Sequence, residues 1–446
     1  MLLWSGQLVS WIGTEVTGIA LPLLVLALTG SPGRAGLVAA ERSAIYVLLA
    51  LPAGALIDRW DRRRVMIVAN AGSGIAMGSI CLALFLGRLT VAQLYIACAA
   101  EGACFVFANL ARFAAVRRVV PVEQYPAAVA QTSVADYVAL LIGPPLGGSL
   151  FQIAGAGAAL CADACSYFVN TLSILFITTP LQDPQDRVPA TMAADIRAAF
   201  DWLWNQRLLR HLNLLSAGRI AIASGIYLLI IVLAKHDHAS STAIGGIFAV
   251  SALGGILGAV AAGRFHHRFQ VRSVIWMTTG ATWILVSCYI AATNIVLISA
   301  VTAGVYFVGP FFEISVATRT AGVIPDAMRG RVLSLLRVVE LGSYSLGFFV
   351  TGLLLQYAGS TAAILVLAGI LFALTLFARF NPLFRTLLIG LGLETLDKEP
   401  ERQHQFKEHT GERQYETDVD PEDFSDRPHH ENRVADQARN RQESGD

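Results

Sequence analysis

Apolar runs of membrane-crossing length recur along the first 380 residues, near 4–28, 35–57, 65–87, 91–115, 127–153, 157–179, 208–234, 242–263, 272–292, 295–318, 332–356 and 361–380. A helix needs roughly 20 apolar residues to cross the hydrocarbon of a bilayer, and in lipid each crossing must satisfy its own backbone hydrogen bonds. The spacing therefore predicts an all-α membrane protein with twelve transmembrane helices. Composition agrees: 55% of residues are hydrophobic and only 15% are charged, against about 25% charged in soluble proteins. So much of the chain goes into spans that little is left for a water-exposed catalytic domain.

Charge in the loops sets the orientation. The segment Gly54-Ala-Leu-Ile-Asp58-Arg59-Trp-Asp61-Arg62-Arg63-Arg64 crowds four arginines between the second and third runs, and the other even-numbered loops also carry arginine. The odd loops have little beyond Arg34, Arg88 and Lys235. The positive-inside bias then places both termini in the cytoplasm, in a multi-pass protein of a plasma or bacterial inner membrane. The first run continues through Leu28 with no small-residue cleavage pattern, so it is expected to be a span and not a removable signal. A formal net charge of +1 gives no reason to expect a nucleic-acid partner. The six cysteines lie in apolar stretches without Cys-x-x-Cys or histidine spacing, so they are expected to pack and not to hold a metal; no cofactor is expected either.

The chain divides into residues 1–180, a linker at 181–207, residues 208–384 and a tail at 385–446. Within the linker, Ala194-Asp-Ile-Arg-Ala-Ala-Phe-Asp-Trp-Leu-Trp204 spaces its apolar residues as an interfacial amphipathic helix does. A shift of 204 residues brings Val120-Pro121 onto Ile324-Pro325, Gly143 onto Gly347, Gly148 onto Gly352, and Gln152-x-Ala-Gly155 onto Gln356-x-Ala-Gly359. The two six-helix halves are thus expected to be parallel copies. The tail is rich in Glu, Asp, Arg, Gln and His and cannot bury enough apolar surface to order itself.

Along roughly residues 1–380 this order of features resembles the major facilitator superfamily. More narrowly, it is similar to the drug and siderophore exporter branch that includes macrolide-efflux proteins. Three stretches carry that likeness: Trp4-Ser-Gly-Gln-Leu-Val-Ser10, the loop Asp58-Arg-x-Asp-Arg-Arg-Arg, and Asp195-Ile-Arg-x-x-Phe-x-Trp-Leu. The stretch Gly143-Pro144-Pro145-Leu-Gly147-Gly148 resembles the antiporter motif of the exporters, with Gly347 and Gly352 as its repeat mates. Small residues there permit close helix approach. The resemblance implies that Gly54, Asp58, Arg59, Arg62, Arg63 and Arg64 form a conformational switch, with Arg112 as the partner of Asp58. Two positions depart from the wider pattern. Cys98 stands four residues before Gly102 where proton-coupled drug antiporters have arginine, and Asp61 replaces a glycine of the loop.

Ionisable residues near the bilayer centre cost about 2.5–3.5 kcal/mol on insertion scales, so each needs a partner, a wet cavity or a role. Glu15, Glu101, Asp136, Glu313 and Glu340 are the candidates for a substrate or proton pathway. Asp136 and Glu340 are repeat mates, each seven residues before a glycine. Desolvation favours the neutral form of a carboxyl, which suits a proton carrier. The alternative is that these acids pair with Arg112, Arg219, Arg319 or Arg337 and lock the bundle. Asp163 is expected near a loop, and Arg42 is expected to reach outward or to pair with Glu41, with a part in the pathway as the lesser alternative.

These features predict a secondary active transporter, not an enzyme: a proton-coupled exporter of amphipathic small molecules working as a monomer in the lipid bilayer. An uptake permease of the same fold is the nearest rival, and a non-transporting scaffold or receptor the next. No Gly-x-x-x-x-Gly-Lys-Ser/Thr loop supports direct ATP coupling, and no hydrolase or metalloprotease motif falls on a span.

Overall fold

The computed structural model describes residues 2–57, 60–119, 125–177, 192–265 and 270–384. Asp58 and Arg59 of the basic loop and the tail 385–446 lie outside the described residues. The first half contains α1 (Leu2–Thr29), α2 (Pro32–Ile57), α3 (Arg62–Phe85), α4 (Val91–Val119) and α5 (Tyr125–Leu175). The amphipathic α6 (Met192–Asn205) follows. The second half contains α7 (Arg207–His236), α8 (Ser241–Phe265), α9 (Val271–Cys288), α10 (Ile295–Val323), α11 (Asp326–Tyr357) and α12 (Gly359–Phe380). No strand occurs among the described residues.

Ten of these helices are long and apolar enough to cross a membrane. One of the ten, α5, turns at Gly155, whose φ of 81° is left-handed, so its 51 residues supply two crossings. The helix α2, which carries Arg34, Glu41 and Arg42 in its N-terminal half, completes twelve. The repeat is visible in the backbone: α4 and α10 have the same extent under the 204-residue shift, and Gly359, the mate of Gly155, has φ of 79°.

Local signals explain several ends. The Asp61 carboxylate accepts from the Arg64 amide at 2.7 Å and caps α3, so the residue that replaces the loop glycine has a definite local role. Asn294 caps α10 through the Leu297 amide at 2.9 Å. Arg62 and Arg63 donate to carbonyls of neighbouring helices: Arg62 to Ala114 O, in the second-last turn of α4, at 3.4 Å, and Arg63 to Leu175 O, at the end of α5, at 2.6 Å. Cations at helix C-termini are stabilising, and here they bind α3 to α4 and α5 at the basic-loop end.

Between lipid-embedded helices hydrophobic transfer gives no drive, so association rests on close packing and hydrogen bonds. At the end away from the basic loop, one apolar cluster crosses both halves, including Leu23, Val38, Leu228, Ile231, Phe248 and Leu355. Glycines bring the halves together there. A Cβ on Gly352 would stand 3.0 Å from the Gly36 Cα, and one on Gly148 would collide with the Ser241 carbonyl. Hydrogen bonds join the halves at this same end: Ser31 Oγ to Gln356 Oε1 at 2.8 Å and Ser241 N to Gln152 Oε1 at 3.1 Å. Toward the basic-loop end the apolar core divides into smaller clusters, one built on α2, α3, α4 and the end of α5, with Val338 and Leu341 of α11 packed against it, and another on α7, α9, α10 and α12.

Candidate functional site

A cavity of about 1220 Å³ lies between the halves. Its wall reaches Asn213, Ile324, Leu333 and Leu336, toward the basic-loop end of α7, α10 and α11. Glu15, Glu101, Asp136, Glu313 and Glu340, the five acids singled out in the sequence, all line it. So do Asp163, Arg42 and Arg219.

The first-half wall is a hydrogen-bonded charge cluster. Arg42 Nη2 lies 3.2 Å from Glu101 Oε1, the same oxygen that accepts from the Tyr167 hydroxyl at 2.6 Å. Thr14 Oγ1 is 3.4 Å from that hydroxyl. The Arg42 guanidinium also lies over the Phe105 ring, 3.9 Å from its centroid, a cation–π contact. Arg42 thus points inward and pairs with Glu101; the expectation that it reaches outward or pairs with Glu41 is corrected. Lone opposite charges on separate spans were the available signal, since each would otherwise be an uncompensated intramembrane charge. Asp163 needs a second correction. It is 1% exposed and not near a solvated loop, and its carboxylate accepts from Thr17 Oγ1 at 2.6 Å.

The second-half wall is more aromatic. Tyr227 packs 4.3 Å from Phe248 between ring centroids, and Phe348 lies 6.1 Å from Tyr227. Arg219 stands at the repeat position of Glu15, with its guanidinium 4.3 Å from the centre of the Phe312 ring and Nη1 3.4 Å from Thr282 Oγ1. The repeat mates Asp136 and Glu340 take different surroundings. Arg337 Nη1 holds Glu340 at 2.8 Å, whereas no ion pair reaches Asp136 among the described residues.

The glycines set how near these walls come. A Cβ on Gly143 would clash with Glu15 and one on Gly147 would stand 2.7 Å from Val16 O, so both fit α5 against α1 beside the cavity acid. Gly347, the mate of Gly143, fits α11 against Ala221 of α7 in the same manner. Pro144 contributes its carbonyl to the close contact with Gly245 of α8. Of the switch residues, Gly54 is half-buried near the end of α2, and Arg64 is exposed. Arg112 is 6% exposed, donates to Asn109 Oδ1 at 3.1 Å, and lies 5.0 Å from the Trp11 ring centre. Its expected partner Asp58 is among the residues not described.

Comparison with known proteins adds to this geometry. The family model of the Major Facilitator Superfamily matches residues 3–339. The chain is 26% identical over 284 residues to the enterobactin exporter EntS of Citrobacter koseri, covering 64% of this chain and 67% of that protein. It is 25% identical over 382 residues to the multidrug efflux pump Tap of Mycobacterium tuberculosis, covering 82% and 89%. Among solved structures, a bacterial homologue of the lysosomal transporter Spinster in an inward-facing, unoccupied conformation superposes with a TM-score of 0.69 at 15% identity, covering 87% of this chain and 96% of the other. The nucleoside transporter NupG superposes with a TM-score of 0.66 at 16% identity, covering 87% and 99%. At such identities the structural likeness shows the fold.

Proposed function

This chain belongs to the Major Facilitator Superfamily, and from that premise we propose that it is a proton-coupled exporter of amphipathic small molecules working by alternating access. The observation that carries this reading is the surplus of carboxyls in the cavity. Glu15, Glu101, Asp136, Asp163, Glu313 and Glu340 line it, against Arg42 and Arg219. Arg42 is committed to Glu101 and Arg337 to Glu340. Among the described residues no ion pair reaches Glu15, Asp136 or Asp163.

Carboxyls in such a place either hold protons or face a cation. Exchange between these two conditions is the coupling: binding of substrate displaces protons on one side, and protons return on the other. The aromatic wall around Tyr227 and Phe348 suits an apolar body. An acid surplus also favours cationic or neutral amphiphiles over anions, which leans the reading toward the efflux-pump relative. With the basic loops in the cytoplasm, packing at the far end and a cavity reaching the basic-loop end describe an inward-open form. Cargo would then enter from the cytoplasm.

Transport by everted vesicles tests the proposal. Energised vesicles carrying the protein accumulate a lipophilic cation, and collapse of the proton gradient abolishes the accumulation. Uptake into right-side-out cells, dependent on the same gradient, would support the permease reading in its place. Gradient-independent equilibration in both preparations would overturn proton coupling.

A further inference from the structure

Helix α6 has a use for its outer face that transport does not explain. Its inner face, with Ala199, Trp202 and Leu203, packs in one cluster with Leu209, Ile324, Met328, Val332 and Leu336. Ile324 and Leu336 are also part of the cavity wall. The outer face carries Phe200 and Trp204, about half exposed, stacked 5.6 Å apart at 21°. Arginines flank this pair in sequence, and Arg210 contacts it. Arg210 lies over the Trp204 ring at 5.0 Å and donates to the Trp204 carbonyl at 3.1 Å. Arg207 is exposed, and Arg197 lies 4.0 Å from Asp201. The chain turns into α7 here with no acidic residue in the first turn and no side-chain cap. Arginine at a helix start is unfavourable against the helix dipole unless an anion is near.

We propose that this face is a docking site for an anionic phospholipid of the adjoining leaflet, whose phosphate sits at Arg207 and Arg210 and whose glycerol region rests on Phe200 and Trp204. Aromatic residues favour that depth of a bilayer, and basic residues beside them select anionic headgroups. A bound lipid fixes α6, and through Ile324 and Leu336 it fixes part of the cavity wall. Lipid composition thereby regulates access to the cavity, whichever solute is carried.

Hydrogen–deuterium exchange of the full chain in nanodiscs is the test. Discs of phosphatidylcholine with phosphatidylglycerol should slow exchange over residues 192–212 and over 324–336, relative to phosphatidylcholine alone. Arg207→Gln with Arg210→Gln should remove the difference and weaken phosphatidylglycerol retention, read by native mass spectrometry, about fivefold per arginine. The double lysine variant should keep most of it, which separates charge from misfolding. Equal exchange in the two lipids, or an unchanged response of the glutamine variant, overturns the site. Protection by inorganic phosphate in phosphatidylcholine discs assigns a free-anion site and overturns the lipid. Protection confined to 192–212 overturns the link to the cavity. None of these readouts is transport, so their failure leaves the export reading standing.

Discussion

Under the 204-residue shift α4 and α10 coincide in extent, yet Glu101 of the first falls on Val305 of the second and Arg112 falls on Val316. The second limb of α5 compares with α12 in the same way: Asp163, Tyr167 and Asn170 fall on Leu367, Leu371 and Leu374. In the first half these side chains bond one another across helices, as Arg42 with Glu101, Thr17 with Asp163, and Asn170 with Asn70 at 2.9 Å. In the second half many buried hydroxyls instead return to their own helix. Thr278, Thr279 and Thr282 each bond the carbonyl four residues earlier, at 2.7, 2.7 and 2.8 Å. One backbone plan thus supports two interiors. A networked half resists deformation because its polar groups lose partners if helices shift, whereas a half of apolar contacts and self-satisfied hydroxyls can slide.

The strongest way to break this comparison is Arg42→Leu. It leaves Glu101 buried with only the Tyr167 hydroxyl; removal of one member of a fully buried ion pair costs about 3–5 kcal/mol, and the cost here falls below that because the Arg42 side chain is 28% exposed on the cavity. Thermal unfolding of the purified protein should fall accordingly, and Arg42→Leu with Glu101→Leu should recover most of the loss. A single variant as stable as the parent would show that the pair does not hold the first half. Next come the glycines at the contacts between halves. Gly148→Val and Gly352→Val should each disfavour the packed far end by about 1–3 kcal/mol of overpacking. Gly246→Val, where a Cβ meets nothing within 4 Å, should not. Labelling of a cysteine placed at that end reads the difference, and unequal responses from Gly148 and Gly352 would mean the two contacts are not equivalent.

Function sharpens the comparison further. Glu15→Gln is expected to lower energised transport at least about tenfold, or roughly 1.4 kcal/mol, while leaving folding near that of the parent. Its repeat mate Arg219→Gln should affect substrate affinity more than pH dependence. Equal pH profiles for the two variants would contradict a proton role confined to the acid. The smallest effect belongs to Thr279→Val, about 1 kcal/mol or less, since its hydroxyl bonds a carbonyl of its own helix. Asn170→Leu should cost more, about 1–3 kcal/mol, because Asn70 is left buried without its amide partner. Denaturation of both variants tests that ranking.

Much of the fold was legible because lipid demands it. Span length, loop charge and the glycine register led to α4, α10 and the turn at Gly155 with few alternatives. Depth along a helix, however, is not burial. Asp163 lies about two turns from Gly155, near enough in sequence to suggest a loop, but Thr17 of α1 crosses beside it, bonds its carboxylate and leaves it 1% exposed. Arg42 was misjudged for a related reason: its partner sits on α4, and helix proximity is a tertiary fact that span counting does not contain. The five cavity acids were found because an isolated intramembrane charge is costly wherever it sits. Their partners depend on which helix faces which.

The turn at Gly155 has a practical consequence. Its φ demands glycine, yet a Cβ there would meet nothing within 4 Å, and Ile153 and Ala154 beside it are exposed. The same open surroundings hold at Gly359. Exposed tips without packing tolerate inserted chain, so a short epitope between Ala154 and Gly155, or between Ala358 and Gly359, should leave the bundle intact. Because the halves are parallel copies, both epitopes must emerge on one face of the membrane. An antibody applied to sealed cells would then reach both or neither, and would reveal which face of the bilayer the packed end occupies.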